Sequence, residues 1–543
     1  RRLSTVRPKS NTYLFPKSLT RLPLSDSLAR CSNELEDPFQ VKISKRKKPL
    51  SDSMKKRVRR PTSQFAQEQG GYNLRDRKKN KHECNNNLGL DRISSLPNEV
   101  LVSILSLLSL KEAQATSVLS RRWQHLWRHV LASTRTLDFD AEKTLCRLSN
   151  LRAGARDLLI CRYVDWVNNV VEHHRGPMVE TFRICFDLDP KFSSSLDKWI
   201  QFAMEKGVQM LELDLLSYGV FPRKFFPCYI FPHELLGIKK ESTLKHLCSD
   251  IPSLHRCACI GFKSLTVLNF KSVDVEEEVL EYFLSNCPVL ERLLVDDSPN
   301  LRNLRVVGPS VSLKYLVIEQ CSSFISIEIC DTNLVSFIYV GCEINMLLRN
   351  LPHLVEVCDF SYKSIGDAFT QLSCCLSQLE ILKLNGLLFQ ERNHVFPVLA
   401  NLKQLELKFQ ANDCFILLQL ASFIKASPYL HRLVLELYPL CERRETRFKK
   451  ASKCSHEYLR VVEIGGYDGR ASDFEIVKYL IENAVQLEKI VIDPADPIEP
   501  HYCFPKHRIK KTIEEVEREE NARNLARQQL IEKVPSTVEF VCL

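Results

Sequence analysis

Residues 265–295 read LTVLNFKSVDVEEEVLEYFLSNCPVLERLLV. The stretch opens and closes on blocks of one form, apolar-x-x-apolar-x-apolar: LTVLNF from Leu265 and LERLLV from Leu290. Alternation of apolar and other residues at that spacing is the period of a short strand with one buried face. Between the blocks, Val279 to Cys287 leave room for a helix that ends before Pro288. Such a unit cannot bury its apolar side alone, so it predicts stacking against further copies of itself.

The copies are there. Blocks of the same form begin at Val179 (VETFRI), Val208 (VQMLEL), Leu313 (LKYLVI), Leu334 (LVSFIY), Leu379 (LEILKL), Leu402 (LKQLEL), Leu430 (LHRLVL), Leu459 (LRVVEI) and Leu487 (LEKIVI). Weaker copies at Leu244 (LKHLCS) and Leu354 (LVEVCD) fill the two largest gaps. Successive starts are then mostly 20 to 29 residues apart, the period of leucine-rich repeats. A doubly wound sheet needs a long helix after every strand, and the shorter spacings exclude it. The predicted fold is α/β: a solenoid with a parallel sheet on its concave face. Two extra blocks, LRNLRV from Leu301 and FISIEI from Phe324, fall midway between neighbours and predict short strands on the outer side. Helices fit at Phe415 to Ala426 and at Phe474 to Ala484. A charged amphipathic helix over Arg508 to Val534 and the strand-like VEFVCL are expected to cap the array.

Upstream, residues 91–130 read DRISSLPNEVLVSILSLLSLKEAQATSVLSRRWQHLWRHV. Leu96-Pro97 suits a helix start, because proline's missing N–H costs nothing in a first turn. Val100, Leu101, Ile104, Leu105 and Leu108 follow at helical spacing. A second short helix covers Lys111 to Leu119, with Ala113, Ala115 and Val118 as packing positions. Ser120 suits the N-cap of a third, which carries Trp123, Leu126, Trp127 and Val130 on one stripe. Three short helices in about forty residues make a marginal core. Their surplus of apolar side chains predicts a partner.

The net charge of +10 is unevenly placed. Residues 1–90 hold 22 Lys or Arg against 8 Asp or Glu, and the remaining chain holds 54 against 58. The folded part is therefore slightly acidic, which speaks against nucleic-acid binding through the fold itself. The polar, Ser- and Pro-containing first 90 residues read as a disordered tail. Within it lie Lys45, Arg46, Lys47 and Lys48, and then Lys55, Lys56, Arg57, Arg59 and Arg60. These two clusters make a candidate signal for a nuclear-import receptor, with contact to nucleic acid or mere solvation as alternatives. The expected location is the nucleus, with the cytoplasm also open. The 21 cysteines are scattered and sit mostly in strand-like runs, a pattern of buried thiols in a reducing compartment. No run is long and apolar enough to span a bilayer. The chain opens on Arg rather than Met, so its true start is expected further upstream; no signal-peptide pattern is visible.

Sharper chemistry finds little support. His246, Cys248, His255, Cys257 and Cys259 cluster, but without the paired C-x-x-C of a zinc site, and a loose repeat junction explains them. His173 and His174 read as exposed, and Cys374-Cys375 as packing. Gly465 to Gly469 (GGYDG) lacks the Lys-Ser/Thr of a phosphate loop and reads as a turn. HExxH and GxSxG are absent from the sequence, so no enzyme, metal or cofactor is expected. Residues between the apolar strand positions, such as Glu291, Arg292, Arg302, Asn303, Lys314, Tyr315, Lys403 and Gln404, could line a ligand surface or simply meet solvent.

Residues 91–130 resemble an F-box: the Leu-Pro opening, the apolar helix, the Leu-Ser-Arg-Arg-Trp segment and the second tryptophan found in plant members. The repeats resemble those of plant F-box proteins with leucine-rich repeats, and HEYLRVVEIGGYDG with EIVKYLIENAVQLEKIVIDP resembles their FBD-type terminal region. The resemblance implies a non-catalytic receptor in an SCF-type (Skp1–cullin–F-box) ubiquitin ligase. The F-box would dock on a Skp1-like adaptor, and through it a cullin–RING ligase, while the repeats hold a target protein. Carried over by position, the adaptor-facing residues are Leu96, Pro97, Val100, Ile104, Leu105, Leu119, Trp123, Leu126 and Trp127, some of which can face the first repeat instead. The implied layout is a tail over 1–90, the F-box over 91–135, a helical linker over 136–174, repeats over 175–455, and an FBD-like end with its cap over 456–543. The alternative is a nuclear repeat scaffold whose tail contacts nucleic acid or chromatin.

Overall fold

The computed structural model describes residues 93, 95–141, 151, 153–215, 228–236, 262–361, 365–385, 396–410, 416–438, 451–495, 497 and 511–543. The basic clusters of the tail, the weak repeat at Leu244 and the His/Cys group from His246 to Cys259 lie outside the described residues.

Three helices come first: α1 (Asn98–Ser106), α2 (Leu110–Ala115) and α3 (Arg121–Ser133). Ser109 and Glu112 form a reciprocal capping box at the start of α2, and the Ser120 hydroxyl accepts the Trp123 N–H at 3.3 Å to start α3. Each cap satisfies amides that the first helical turn leaves open. Leu101, Leu105, Leu110, Ala113, Trp123, Leu126, Trp127, Val130 and Leu131 are buried and form the module's core.

The chain then enters the sheet directly. Strand β1 (Thr136–Asp140) is followed by helix α4 (Ala153–His173), β2 (Thr181–Cys185), α5 (Ser193–Glu205), β3 (Met210–Asp214) and β4 (Tyr229–Ile230). Next come β5 (Val267–Lys271), β6 (Val273–Asp274), α6 (Glu277–Asn286), β7 (Arg292–Asp296), β8 (Asn303–Val307), β9 (Tyr315–Glu319) and β10 (Ser326–Cys330). Then follow β11 (Ser336–Gly341), β12 (Asn345–Arg349), β13 (Glu356–Ser361), α7 (Ile365–Gln371), β14 (Ile381–Asn385), β15 (Gln404–Gln410), α8 (Ile416–Ala426) and β16 (Arg432–Tyr438). The last elements are β17 (Val461–Gly465), α9 (Ala471–Asn483), β18 (Lys489–Asp493), α10 (Ile513–Leu530) and β19 (Glu539–Cys542).

Among the described residues, fourteen strands form one parallel sheet in the order β1-β2-β3-β5-β7-β9-β11-β13-β14-β15-β16-β17-β18-β19. Its register stacks like on like: Leu211 pairs with Leu268, Leu268 with Leu293, and Leu293 with Leu316, all buried. A buried leucine is worth about 1.5–3 kcal/mol over an exposed one, and here each needs the next repeat to cover it. The strands end in a recurring way. Ser272, Asp297 and Gln320 follow β5, β7 and β9 with φ of 52°, 58° and 53°. Their N–H groups donate to the carbonyls of Asp296, Glu319 and Val340 at 2.8, 3.0 and 2.8 Å, carrying the ladder one residue past the strand. That extra bond offsets a backbone conformation that side chains disfavour.

The two midway blocks are strands β8 and β10, and with β12 they make a separate three-stranded parallel sheet. The sequence pattern did not single out β12 (NMLLR). The helices expected after Val279, Phe415 and Phe474 are α6, α8 and α9. The stretch 136–174, read as a helical linker, is strand β1 paired in parallel with β2 at its start and helix α4 at its end.

Candidate functional site

The three-helix module turns one apolar set inward and another outward. On α1, Leu101 and Leu105 pack inside, while Val100 and Ile104 are exposed and Leu107 just past the helix is 87% exposed. Val100, Ile104 and Leu107 share the i, i+4, i+7 spacing of one helical stripe, next to the buried one. Leu108, Val118 and Leu119 add further exposed apolar side chains, Leu119 at 65%. The Leu96-Pro97 opening is held by α3: Arg122 donates from Nε to the Asn98 Oδ1 at 2.9 Å and from Nη2 to the Leu96 carbonyl. Pro97 itself is exposed and Leu96 half-buried.

Of the nine residues carried over for a partner, Pro97, Val100, Ile104 and Leu119 are thus exposed and Leu96 partly so. Leu105, Trp123, Leu126 and Trp127 are covered by the chain's own packing, because they lie on the stripes that close the small core. Leu107, Leu108 and Val118 are also exposed and were not among the nine. The signal for Leu107 and Leu108 was the leucine run SLLSLK, which extends past the buried stripe of α1.

Trp127 sits at the join between module and sheet. Trp127 lines a cleft of about 660 Å³ together with Leu105, Leu110, Thr136, Asp138 and Trp166. Behind it, His174 fastens the end of α3 to the first repeats. Its Nε2 donates to the Thr134 carbonyl at 3.0 Å, and its ring meets Phe202 edge-on at 5.7 Å. Burial, with Lys206 nearby, holds this imidazole below its ordinary pKa. His174 is buried rather than exposed, a correction to the sequence reading; His173 is exposed.

The second candidate surface is the face of the long sheet opposite its leucine core. At one end Arg183 bridges Asp138, Asp140 and Glu212 at 3.4, 3.3 and 3.2 Å. At the other, Lys383 pairs with Glu406 at 3.5 Å, Lys408 with Glu436 at 3.4 Å and Arg432 with Glu463 at 2.9 Å. The Lys408 ammonium also lies 3.8 Å from the centre of the Phe360 ring. Between these charged ends lies an apolar patch, where Val340, Cys358 and Phe360 cluster with Ile338. Of the residues proposed from sequence as a ligand surface, Lys314 pairs with Glu291 at 2.6 Å, Lys403 with Glu380 at 2.8 Å, and Arg292 stacks 3.9 Å over Tyr315.

Elsewhere, Cys375 is buried beside exposed Cys374, and burial pushes the Cys375 thiol up to about 12, which suits packing rather than nucleophilic chemistry. The GGYDG stretch is the turn after β17. Gly466 has φ +72°, and a Cβ there would meet the Leu437 carbonyl at 2.2 Å. Among the described residues no group of three or more metal-ligating side chains comes together, and no helix is long and apolar enough to cross a membrane.

Comparison with known proteins finds matches to both regions of the chain. Residues 93–131 match the F-box domain model, and residues 170–543 match the model described as At1g61320/AtMIF1, LRR domain. Among curated proteins, the chain is 27% identical to the FBD-associated F-box protein At5g38590 of Arabidopsis thaliana, covering 74% of this chain and 93% of that one. It is 25% identical to the F-box/FBD/LRR-repeat protein At5g22660 of the same plant, covering 74% and 89%. It is also 25% identical to the F-box/FBD/LRR-repeat protein At4g00160, covering 80% and 94%.

Proposed function

Because the chain belongs to the plant F-box proteins with leucine-rich repeats, we propose that it is the substrate receptor of an SCF-type ubiquitin ligase. The observation that carries this reading is the outward apolar set of the F-box. Val100, Ile104, Leu107 and Leu119 lie exposed on a module whose core is already closed by Leu105, Trp123 and Leu126. An exposed apolar patch on so small a unit is stabilised by a partner, and a Skp1-like adaptor is the partner that F-box domains generally bind.

Catalysis then requires no reacting residue of this chain. A target held on the repeats is brought near a ubiquitin-charged enzyme held elsewhere in the complex, and the gain is effective concentration. The basic clusters of the tail support delivery to the nucleus through a nuclear-import receptor.

The test is a titration of a purified Skp1-like adaptor onto the full chain. Leu107→Glu with Leu119→Glu should weaken binding at least about tenfold, since each places a charge in a dry contact. The thermal midpoint should stay unchanged, as neither side chain contributes to the core. Binding unaffected by the double change places the contact elsewhere, and an intact chain that binds no adaptor removes the ligase reading.

A further inference from the structure

The middle of the sheet face changes character over a single two-residue step. Leu294, Val317 and Ile338 stand in register on β7, β9 and β11, each partly exposed. Two positions on, the same register sets Asp296 beside Glu319. Neither carboxylate accepts a hydrogen bond or makes an ion pair among the described residues. Lys271 is the register neighbour of Asp296, yet its ammonium lies 3.7 Å from Asp214. Among the described residues one lysine thus faces Asp214, Asp296 and Glu319, while Asp297, next in the chain, accepts from the Ser272 hydroxyl at 2.6 Å. Elsewhere Glu406, Glu436 and Glu463 each have a cation of their own, and Glu212 lies 3.2 Å from the Arg183 that it shares with Asp138 and Asp140. The surplus of negative charge is local, and burial followed by repulsion from Glu319 and Asp297 pushes the Asp296 carboxyl up to about 8. Such a site lacks a cation.

We propose that this strip receives an extended segment of the target protein in which an apolar residue and a lysine or arginine stand two positions apart. The apolar side chain lies on Leu294, Val317 and Ile338, and the cation lies between Asp296 and Glu319. In an extended chain, residues i and i+2 point the same way about 6.8 Å apart, the same step that separates Leu294 from Asp296 along β7. Arg292, packed on the Tyr315 ring at the other end of these strands, repels a cation there and fixes the direction of the segment. This assignment rests on the substrate-receptor reading and specifies what that receptor takes.

The experiment titrates three labelled dodecapeptide pools, with fixed cores Leu-x-Arg, Leu-x-Glu and Ser-x-Arg, onto the full chain, with adaptor binding measured in parallel. The Leu-x-Arg pool should bind at least about tenfold tighter than either other pool. Asp296→Asn with Glu319→Gln should remove the preference for arginine, and Asp296→Lys with Glu319→Lys should transfer it to the Leu-x-Glu pool. Ile338→Ser should weaken the Leu-x-Arg pool toward the Ser-x-Arg one. A far-UV circular-dichroism spectrum like that of the wild type, with a cooperative thermal transition, reports that each variant is folded. Equal binding of the three pools, a preference untouched in the Asn/Gln variant, or no binding by any pool overturns the assignment. So does self-association that the Asn/Gln change abolishes, which gives the strip to a second copy of the chain. A chain that selects Leu-x-Arg but binds no adaptor upholds the strip and overturns the ligase reading.

Discussion

At the scale of single residues, Asp296 shows how a repeat fold stores charge. Its carboxyl stands at about 8 against an ordinary value of 3.8, first through burial and then through Glu319 and Asp297, with Lys271 opposing. A carboxyl that holds its proton more tightly when folded makes stability fall as pH rises from about 4 to about 8. Below that window both states are protonated; above it the full cost of the buried charge is present. Asp296→Asn removes this contribution. The variant should therefore gain stability over the wild type on going from pH 5 to pH 8, on the order of 1–3 kcal/mol after allowing for partial exposure. Thermal unfolding of both proteins at the two pH values measures the gain, and parallel profiles would refute it. Nothing in the sequence announces this site. Asp296 is one of two acids in DDSPN, and only the register, which sets Glu319 beside it, makes it unusual.

At the scale of elements, the repeats were legible because strand and turn leave separate marks. The block at Leu290 carries its buried residues at Leu290, Leu293 and Val295, and the same three positions are buried at Leu313, Leu316 and Ile318. The F-box helices were legible in extent but not in orientation. Helix α1 carries two apolar stripes, Leu101 with Leu105 and Val100 with Ile104, and helical spacing fits both equally. Only packing against α3 decides which stripe is inside, so Leu105, Trp123, Leu126 and Trp127 could not be sorted from Val100, Ile104 and Leu119 by pattern. Strands β1 (TLDFD) and β12 (NMLLR) lack the leading leucine of the repeat block and left no signal. The caps did leave one. Ser109 accepts the Glu112 N–H while Glu112 accepts the Ser109 N–H, at 3.3 and 3.1 Å. Helix α2 is only six residues long, so it has little else to hold its first turn. Ser109→Ala should cost about 1 kcal/mol. Chemical denaturation reads this cost, and an unchanged midpoint would show that tertiary contacts alone hold α2.

At the scale of the whole sheet, the physical problem is its ends. A parallel solenoid presents unpaired backbone groups wherever the repeats stop, and open edges invite pairing with other chains. Toward the F-box, β1 follows directly on α3 and has α2 packed near it. Toward the other end, β19 pairs in parallel with β18, and α10 lies against the last repeat. Helix α10 is charged along most of its length, but Ala522, Ala526 and Leu530 form a buried stripe whose small side chains permit close approach. Two hydrogen bonds join it to the turn after β17. The Tyr467 hydroxyl donates to the Gln529 Oε1 at 2.6 Å, and the Gln529 Nε2 donates to the Gly469 carbonyl at 3.1 Å. A Cβ at Gly469 would meet the Leu525 side chain at 2.9 Å, so the helix sits where only glycine leaves room. Terminal units of repeat arrays behave as caps, and their loss exposes an apolar layer and a sheet edge together. A chain ending at residue 510 should therefore associate into larger species on gel filtration and be cut by protease within α9 and β18 before any other part of the sheet. The F-box lies at the opposite end, so its adaptor binding should survive the truncation. A monomeric truncated chain with unchanged protease resistance would show that the sheet closes at β18 and that α10 and β19 are ornaments on it.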